Sequence, residues 1–292
     1  VVTNIEPDHL ECYENDFELL KSSFLEFMSK VPFYGANFLC ADDPVLMGLL
    51  PELSGRVFTY GLSSSAFVRA VRISFSPVGT EFCLVVNGED MGEIKVKLIG
   101  LHNVRNTLAA ISVGLELGIS LQEIREALAN FAGVSRRFQI RGEVGGIMVV
   151  DDYAHHYTEL AVTLRSARLA YPSKRIIAVF QPHLYSRTAA FYHEFGRALL
   201  ESDIAVVTDV YPSREQPIEG VTGEIVADAA RDYGHTEVYY EKDLNRIPGF
   251  IKELAQPEDI VITLGAGDIW RVGVKLVEEL RSQYGKVLGN SV

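Results

Sequence analysis

Short apolar runs alternate with amphipathic segments through the second half of the chain, and this alternation constrains the fold more than any other feature. The apolar runs have the length of buried strands, and the segments between them have helical spacing. Such alternation predicts βαβ units, a parallel sheet covered on both faces and a Rossmann-like domain. The predicted strands are 147–151, 176–180, 204–209, 236–240 and 259–263, and the predicted helices lie near 157–170, 187–200, 222–232, 243–255 and 268–283.

The first half of the chain has a mixed pattern. Alternating residues at 66–98, interrupted by turn residues, predict a series of antiparallel hairpins. A helix is predicted to start at Ser120, because Glu123 completes a capping box. The other predicted elements are a helix over 15–30, strands 37–40 and 56–60, a helix opening at Asp42-Asp43-Pro44 and a helix beginning within 100–106. A boundary near Gly133 divides the chain into two predicted α/β domains, 1–134 and 135–292.

The composition excludes several classes of protein. The 39 acidic against 27 basic residues give a net charge of −12, which argues against a nucleic-acid binder. No apolar run reaches the length of a membrane span and no signal peptide is visible, so membrane insertion is not expected. Cys12, Cys40 and Cys83 are too few and too far apart for a disulfide framework, which favours a reducing cytoplasm.

Polar clusters follow the predicted strands of the second half. Asp151, Asp152, His155 and His156 come directly after an apolar run, at the strand edge where open α/β sheets bind ligands. Their dehydration is costly unless a ligand uses them, although a solvated turn with two surface histidines would also explain them. Later strand ends carry further polar residues, and we predict that one rim of the sheet holds His155, His183, Arg187, Arg214 and Asp268.

Three other clusters lie outside this rim. His9, after a predicted strand, could meet a divalent ion or a phosphate, or could be an ordinary loop histidine. Asn103 and Asn106 share a helix face and could pair with an adenine edge, whereas a helix cap at Asn103 would explain only one of them. Arg136 and Arg137 at the boundary could grip phosphates, or one of them could be a solvated linker charge.

Taken in chain order, these motifs resemble the Mur ligases of peptidoglycan synthesis. The resemblance runs the length of the chain, and the His155-His156 pair with the run from Phe180 to Thr188 favours the members that add L-alanine. The motifs are Thr3-Asn4-Ile5-Glu6-Pro7-Asp8-His9, Gly100-Leu101-His102-Asn103-Val104-Arg105-Asn106, Arg136-Arg137-Phe138, Asp151-Asp152-Tyr153-Ala154-His155-His156 and Phe180-Gln181-Pro182-His183.

The resemblance implies a fold and a reaction. The fold is the C-terminal part of the family's central ATPase domain, with a mixed sheet, followed by its Rossmann-like C-terminal ligase domain. The reaction uses ATP and Mg²⁺ to phosphorylate the lactyl carboxylate of UDP-N-acetylmuramate. The amine of L-alanine then attacks the acyl phosphate, which yields an amide, ADP and phosphate. Bringing these anions together requires cations nearby.

The resemblance also implies residue roles. His102, Asn103 and Asn106 would bind the adenine nucleotide, and Asp152 its ribose. Arg137 would reach the phosphates and His155 the transferred phosphoryl group. His9 would bind a second magnesium, and His183 and Arg187 would position alanine and the acyl phosphate. The implied catalytic residues are His155, Arg137 and Arg187.

The sequence departs from the family pattern in several places. Leu184 stands where arginine is common and Tyr157 where proline is common. The Gly-rich loop with its Gly-Lys-Thr and the uridine-nucleotide domain are absent and would precede Val1. Because that loop supplies most of the groups that bind the phosphates, we expect these 292 residues alone to have no ligase activity.

Three rival interpretations stay open from the sequence. A metal-dependent hydrolase could use the Asp151-to-His156 cluster, although its spacing does not suit three ligands from one turn. A non-catalytic nucleotide-binding module could use the turn at Gly265-Ala266-Gly267-Asp268, which is more typical of close backbone packing. A third rival is a ligase that attaches an intact peptide to the same nucleotide sugar. The sequence makes no prediction of oligomeric state.

Overall fold

The chain divides into two compact units. The structure, a computed structural model, describes residues 1–288. The N-terminal unit spans Val1–Ala132 and the C-terminal unit begins at Gly133, two residues before the predicted start of the second domain. None of the helices within residues 1–288 combines the length and apolar character needed to cross a membrane.

A mixed five-stranded sheet forms the centre of the N-terminal unit. Its order is β1-β2-β3-β4-β5, with parallel pairing from β1 to β3 and antiparallel pairing from β3 to β5. The hairpins predicted at 66–98 are therefore confirmed, as is the mixed sheet. The strands are β1 (Asn37–Cys40), β2 (Val57–Gly61), β3 (Val68–Ser76), β4 (Gly79–Val86) and β5 (Glu89–Val96), and the helices are α1 (Phe17–Ser29), α2 (Pro44–Leu49), α3 (Leu101–Glu116) and α4 (Leu121–Asn130).

Side-chain caps start several of these helices. Asp43 accepts a hydrogen bond from the Leu46 N–H at 2.7 Å, and Pro44 occupies the first helical position of α2. The capping box predicted at Ser120 and Glu123 is present at α4. Helix α3 is capped by Gly100, so the interpretation of Asn103 as its cap is wrong.

The sheet of the C-terminal unit is parallel except at one edge. Its order is β10-β9-β8-β11-β7-β6, and only β6 runs antiparallel to its neighbour among the described strands. The strands are β6 (Gln139–Val144), β7 (Ile147–Asp152), β8 (Ile176–Phe180), β9 (Ile204–Val207), β10 (Val238–Tyr240) and β11 (Ile260–Leu264), and the helices are α5 (Tyr157–Ala170), α6 (Tyr185–Leu199), α7 (Glu224–Asp232), α8 (Ile247–Leu254) and α9 (Trp270–Leu288).

The predicted Rossmann-like alternation is thus confirmed, and its reason is burial. Every residue of β7, β8, β9 and β11 is buried, as expected for parallel strands with helices on both faces. Strand β6 was missed because it is a half-exposed edge strand with a register shift near Gly142, which breaks the alternation.

A buried histidine makes the stability of the C-terminal unit depend on pH. The Glu237 N–H donates to Nδ1 of His235 at 3.2 Å, and Nε2 lies 3.3 Å from the Ser202 hydroxyl. Burial lowers the pKa of His235, although Asp203 and Glu237 act in the opposite direction. Because the folded pKa is below the unfolded value of about 6.5, the folded state resists protonation, and stability is lost as the pH falls below that value.

We therefore expect the free energy of unfolding to fall as the pH drops below about 6.5, and His235→Gln to reduce that slope. Urea unfolding followed by the fluorescence of Trp270, the only tryptophan, measures it. The exposed His193 provides a matched control through His193→Gln. An equal pH slope in His235→Gln and the parent protein would contradict the assignment.

Candidate active site

Three aromatic side chains meet at the carboxyl ends of neighbouring strands in the C-terminal unit. His155 follows β7, His183 follows β8 and Tyr211 follows β9. The rings of His155 and His183 are edge to face with centroids 5.8 Å apart, and His183 stacks on Tyr211 at 5.6 Å. The structure therefore brings together the two histidines that the sequence predicts on one rim.

The His155 ring is held through Nδ1. This nitrogen lies 3.1 Å from the Tyr153 carbonyl oxygen and 3.2 Å from a carboxylate oxygen of Glu159. The other Glu159 oxygen accepts from the Arg137 guanidinium at 3.3 Å. Burial raises the pKa of Glu159, but hydrogen bonds and charge from His155, with the charge of Arg137, outweigh it and lower that pKa to about 2.

Asp152 is buried, with both of its carboxylate oxygens engaged. The backbone N–H groups of Phe138 and Ala154 donate to it at 2.7 and 2.8 Å. Burial raises its pKa to about 6, against these bonds and the charge of Arg137. Since a carboxylate has about four acceptor positions, these two bonds do not use up its capacity to accept further hydrogen bonds. The ribose-binding role stays a prediction.

Asp151 has a structural role. It is fully buried in β7, accepts from Arg136 at 3.1 Å and Arg141 at 2.9 Å, and also accepts from the Thr263 hydroxyl at 2.9 Å. A carboxylate committed in this way is not available as a metal ligand. This observation argues against the metal-dependent hydrolase. The ion pair with Asp151 gives Arg136 a structural role, whereas the Arg137 side chain is half exposed.

Arg187 lies in the first turn of α6 and is buried. Burial lowers the pKa of His183, and the charges of His155 and Arg187 lower it further. Ser186 donates its N–H to Glu215 at 3.0 Å, which attaches the loop after β9 to the start of α6. Leu184, which precedes α6, has a left-handed φ of 69°.

The other predicted rim residues are less involved. Arg214 is exposed, and Asp268 pairs with Arg271 at 3.3 Å. In the adjoining turn, a Cβ on Gly267 would lie 2.5 Å from the Tyr211 ring and 2.6 Å from the Gln181 side chain. This turn therefore serves close packing, as its sequence suggested, rather than a dinucleotide fingerprint.

The N-terminal unit carries the asparagine motif on α3. Asn106 is exposed, whereas Asn103 and His102 are partly buried. The Asn103 amide donates to the Ile99 carbonyl at 2.9 Å, so part of its hydrogen-bonding capacity is structural. Arg105 on the same helix donates to Asp42 at 2.6 Å. The adenine-binding role of these residues stays a prediction.

His9 lies on an exposed loop of the N-terminal unit. Its Nε2 is 3.8 Å from an Asp8 oxygen, and its backbone has a left-handed φ of 55°. Within residues 1–288, no group of three or more His, Cys, Asp or Glu side chains converges as a metal site would require. The binding of a second magnesium by His9 stays a prediction.

Two residues of the site were missed from the sequence. Glu159 stands three and four positions after His156 and His155, the spacing of an N-terminal helix cap, and this signal could have identified it. Glu215 belongs to a polar segment after β9, but its contact with Ser186 joins two separate loops, which no local spacing shows.

Comparison with known proteins decides the family. The family model described as "Mur ligase middle domain" matches residues 1–114, and the one described as "Mur ligase, glutamate ligase domain" matches residues 136–267. The chain belongs to the Mur ligase family. The matched ranges of this Mur ligase contain the asparagine motif and the His155–His183 rim, respectively.

Relatives and solved structures agree with this assignment. The UDP-N-acetylmuramate–L-alanine ligase of Salinibacter ruber is 46% identical over 99% of this chain, which covers 60% of that relative. The chain thus spans about 60% of the length of the curated relatives it matches.

Two solved Mur ligases from Thermotoga maritima have similar folds. UDP-N-acetylmuramate-alanine ligase MurC has a TM-score of 0.77 and 29% identity, over 94% of this chain and 58% of that one. MurF in complex with ADP has a TM-score of 0.76 and 18% identity, over 96% of this chain and 62% of that one, and shows the fold alone.

Proposed function

We propose that this chain supplies nucleotide-binding and amino-acid-binding groups of an ATP-dependent ligase that joins L-alanine to UDP-N-acetylmuramate in peptidoglycan synthesis. The observation that carries the proposal is the rim where His155, His183 and the buried Arg187 lie together in the C-terminal unit. The 46% identity to a ligase of that name supports it. We expect the reaction to take place in the cytoplasm.

The amino acid is assigned to the side of the rim formed by His183 and Arg187. A guanidinium binds a carboxylate with paired hydrogen bonds, and a buried one does so with little competition from water. His183 stacks on Tyr211 and has a lowered pKa, so its ring is neutral near pH 7. A neutral ring beside a cation suits the zwitterionic end of an amino acid.

The nucleotide-binding roles are proposed for each unit separately, on the residues that the resemblance implies. Asn106 and Asn103 would pair with the adenine edge, with His102 beside them, because an amide offers a donor and an acceptor together. Asp152 would accept from the ribose, and Arg137 would neutralise phosphate charge. Mg²⁺, which the resemblance implies, would need oxygen ligands in addition to His9.

Titration with L-alanine tests the amino-acid assignment in this chain without requiring turnover. We expect L-alanine to shift the ring resonances of His183 and His155 in NMR spectra, and Arg187→Ala to weaken that binding about 10-fold, the effect of losing one charge-assisted pair. The rings of His9 and His193 should not move. D-alanine and L-alanine amide, which lacks the carboxylate, are the matched controls. Equal shifts with L-alanine amide would contradict a carboxylate held by Arg187.

A further inference from the structure

Glu159 links the two groups that the proposed function places nearest to the reaction. One of its oxygens accepts from the His155 backbone N–H at 3.0 Å and the His156 backbone N–H at 3.3 Å, and it lies 3.2 Å from Nδ1 of His155. The other oxygen accepts from Arg137 at 3.3 Å. One carboxylate in the first turn of α5 therefore holds the loop after β7 and the Arg137 side chain.

These contacts determine which nitrogen of His155 carries the proton. Nδ1 faces the Tyr153 carbonyl and the Glu159 carboxylate, and an ionised carboxylate and a carbonyl can only accept hydrogen bonds. Nδ1 must therefore donate, and in the neutral ring Nε2 then keeps its lone pair. Other titratable groups close to this pair are the rings of Tyr153 and His183, with centroids 5.2 and 5.8 Å from that of His155, the adjacent His156, and Arg137 behind Glu159.

We propose that Glu159 is a positioning residue that fixes His155 in its Nδ1–H form, with Arg137 held beside it, so that Nε2 is the nitrogen presented to the substrate. The proposal rests on the proposed function for the identity of that substrate. Glu159 acts through His155 and Arg137, in the way that a carboxylate orients the imidazole in other histidine sites.

The Nδ1–H form suits a particular step. After the alanine ammonium group has lost one proton to solvent, its nitrogen forms the C–N bond and loses a second proton, and phosphate leaves with the electrons of the C–O bond. A lone pair on Nε2 is an acceptor for that proton, whereas a phosphoryl oxygen offers only lone pairs and would need a donor. This refines the expectation from the resemblance, because it assigns the neutral His155 ring to the amine rather than to the phosphoryl group.

The nitrogen-15 shifts of the His155 ring test the proposal in the 292-residue chain, at a pH where the ring is neutral. We expect the Nδ1–H pattern in the parent protein and its loss in Glu159→Ala. Glu159→Gln keeps nearly the same side-chain size but places an NH₂ group, itself a donor, among the N–H donors that Glu159 accepts from. It provides the same test if Glu159→Ala does not fold. Glu123→Ala is the matched control, because it removes the capping-box carboxylate of α4 without a histidine contact.

Each outcome decides the question. Nε2–H as the main form in the parent protein overturns the proposal. Unchanged Nδ1–H in both Glu159 variants overturns it too, because the Tyr153 carbonyl would then suffice. A loss of Nδ1–H in Glu123→Ala would make the effect non-specific and overturn it as well. Failure of the L-alanine titration would instead count against the proposed function, since the ring pattern is read without ligand.

Discussion

Replacing Asp151 with Asn is expected to lower the free energy of unfolding of the C-terminal unit by about 3 kcal/mol. Asp151 is completely buried and is the shared counter-charge of Arg136 and Arg141. Removing one partner of a buried ion pair leaves uncompensated charge, which costs about 3–5 kcal/mol. The two arginine side chains are 20% and 23% exposed, so water relieves part of the cost and the lower end of that range applies.

Denaturant unfolding followed by the fluorescence of Trp270 measures the effect, because Trp270 begins α9 in the affected unit. The matched control is Asp228→Asn, which breaks an exposed pair with Arg231 on the surface of α7. That change should cost less than about 1 kcal/mol. Equal losses in the two variants would show that Asp151 is not the buried counter-charge described here.

Replacing Asn106 with Ala is expected to weaken the binding of an adenine nucleotide by about 10- to 100-fold. The proposed function assigns this exposed amide on α3 to the adenine edge, and a good paired contact to a base contributes about 1–3 kcal/mol of discrimination. NMR titration with ADP measures the affinity even where it is weak. Because Asn106 is exposed, the free energy of unfolding should stay unchanged.

Two controls make the Asn106 result specific. Asn130→Ala removes an exposed asparagine whose amide donates to the Glu126 carbonyl at the end of α4, and it should leave the affinity unchanged. GDP in place of ADP should bind the parent protein more weakly, because guanine presents a different edge. If Asn106→Ala binds ADP as tightly as the parent protein does, adenine is recognised elsewhere.

Much of the fold could be predicted because buried parallel strands appear in the sequence as short, continuous apolar runs. Runs such as Ile147 to Val150 are apolar on both faces, so their strand character does not depend on a partner. Strand β6 escaped prediction because its residues are half exposed and its register shifts at Gly142. Strand β9 ends two residues earlier than predicted and β10 begins two residues later, since the polar residues beside each run already belong to the loops.

The candidate site was predictable only where polar or titratable side chains directly follow a buried strand. His155 and His183 follow adjacent apolar runs, and the structure brings their rings together. Whether a polar residue there faces a ligand or the core was not visible: Asp151 is enclosed by two arginines that no spacing rule connects to it. The contact of Glu159 with Arg137 joins residues 22 positions apart in the sequence, and only the folded loop brings them together.

The most direct test of the proposed reaction is an assay of a chimera. The uridine-nucleotide domain and the Gly-rich loop, which the resemblance implies before Val1, would be taken from the Salinibacter ruber ligase and joined in front of this chain. We expect ATP-dependent formation of UDP-N-acetylmuramoyl-L-alanine, with ADP released only when nucleotide sugar and L-alanine are both present, and with loss of product in Arg137→Ala. A folded chimera that attaches an intact peptide to the nucleotide sugar but not L-alanine would contradict the assignment.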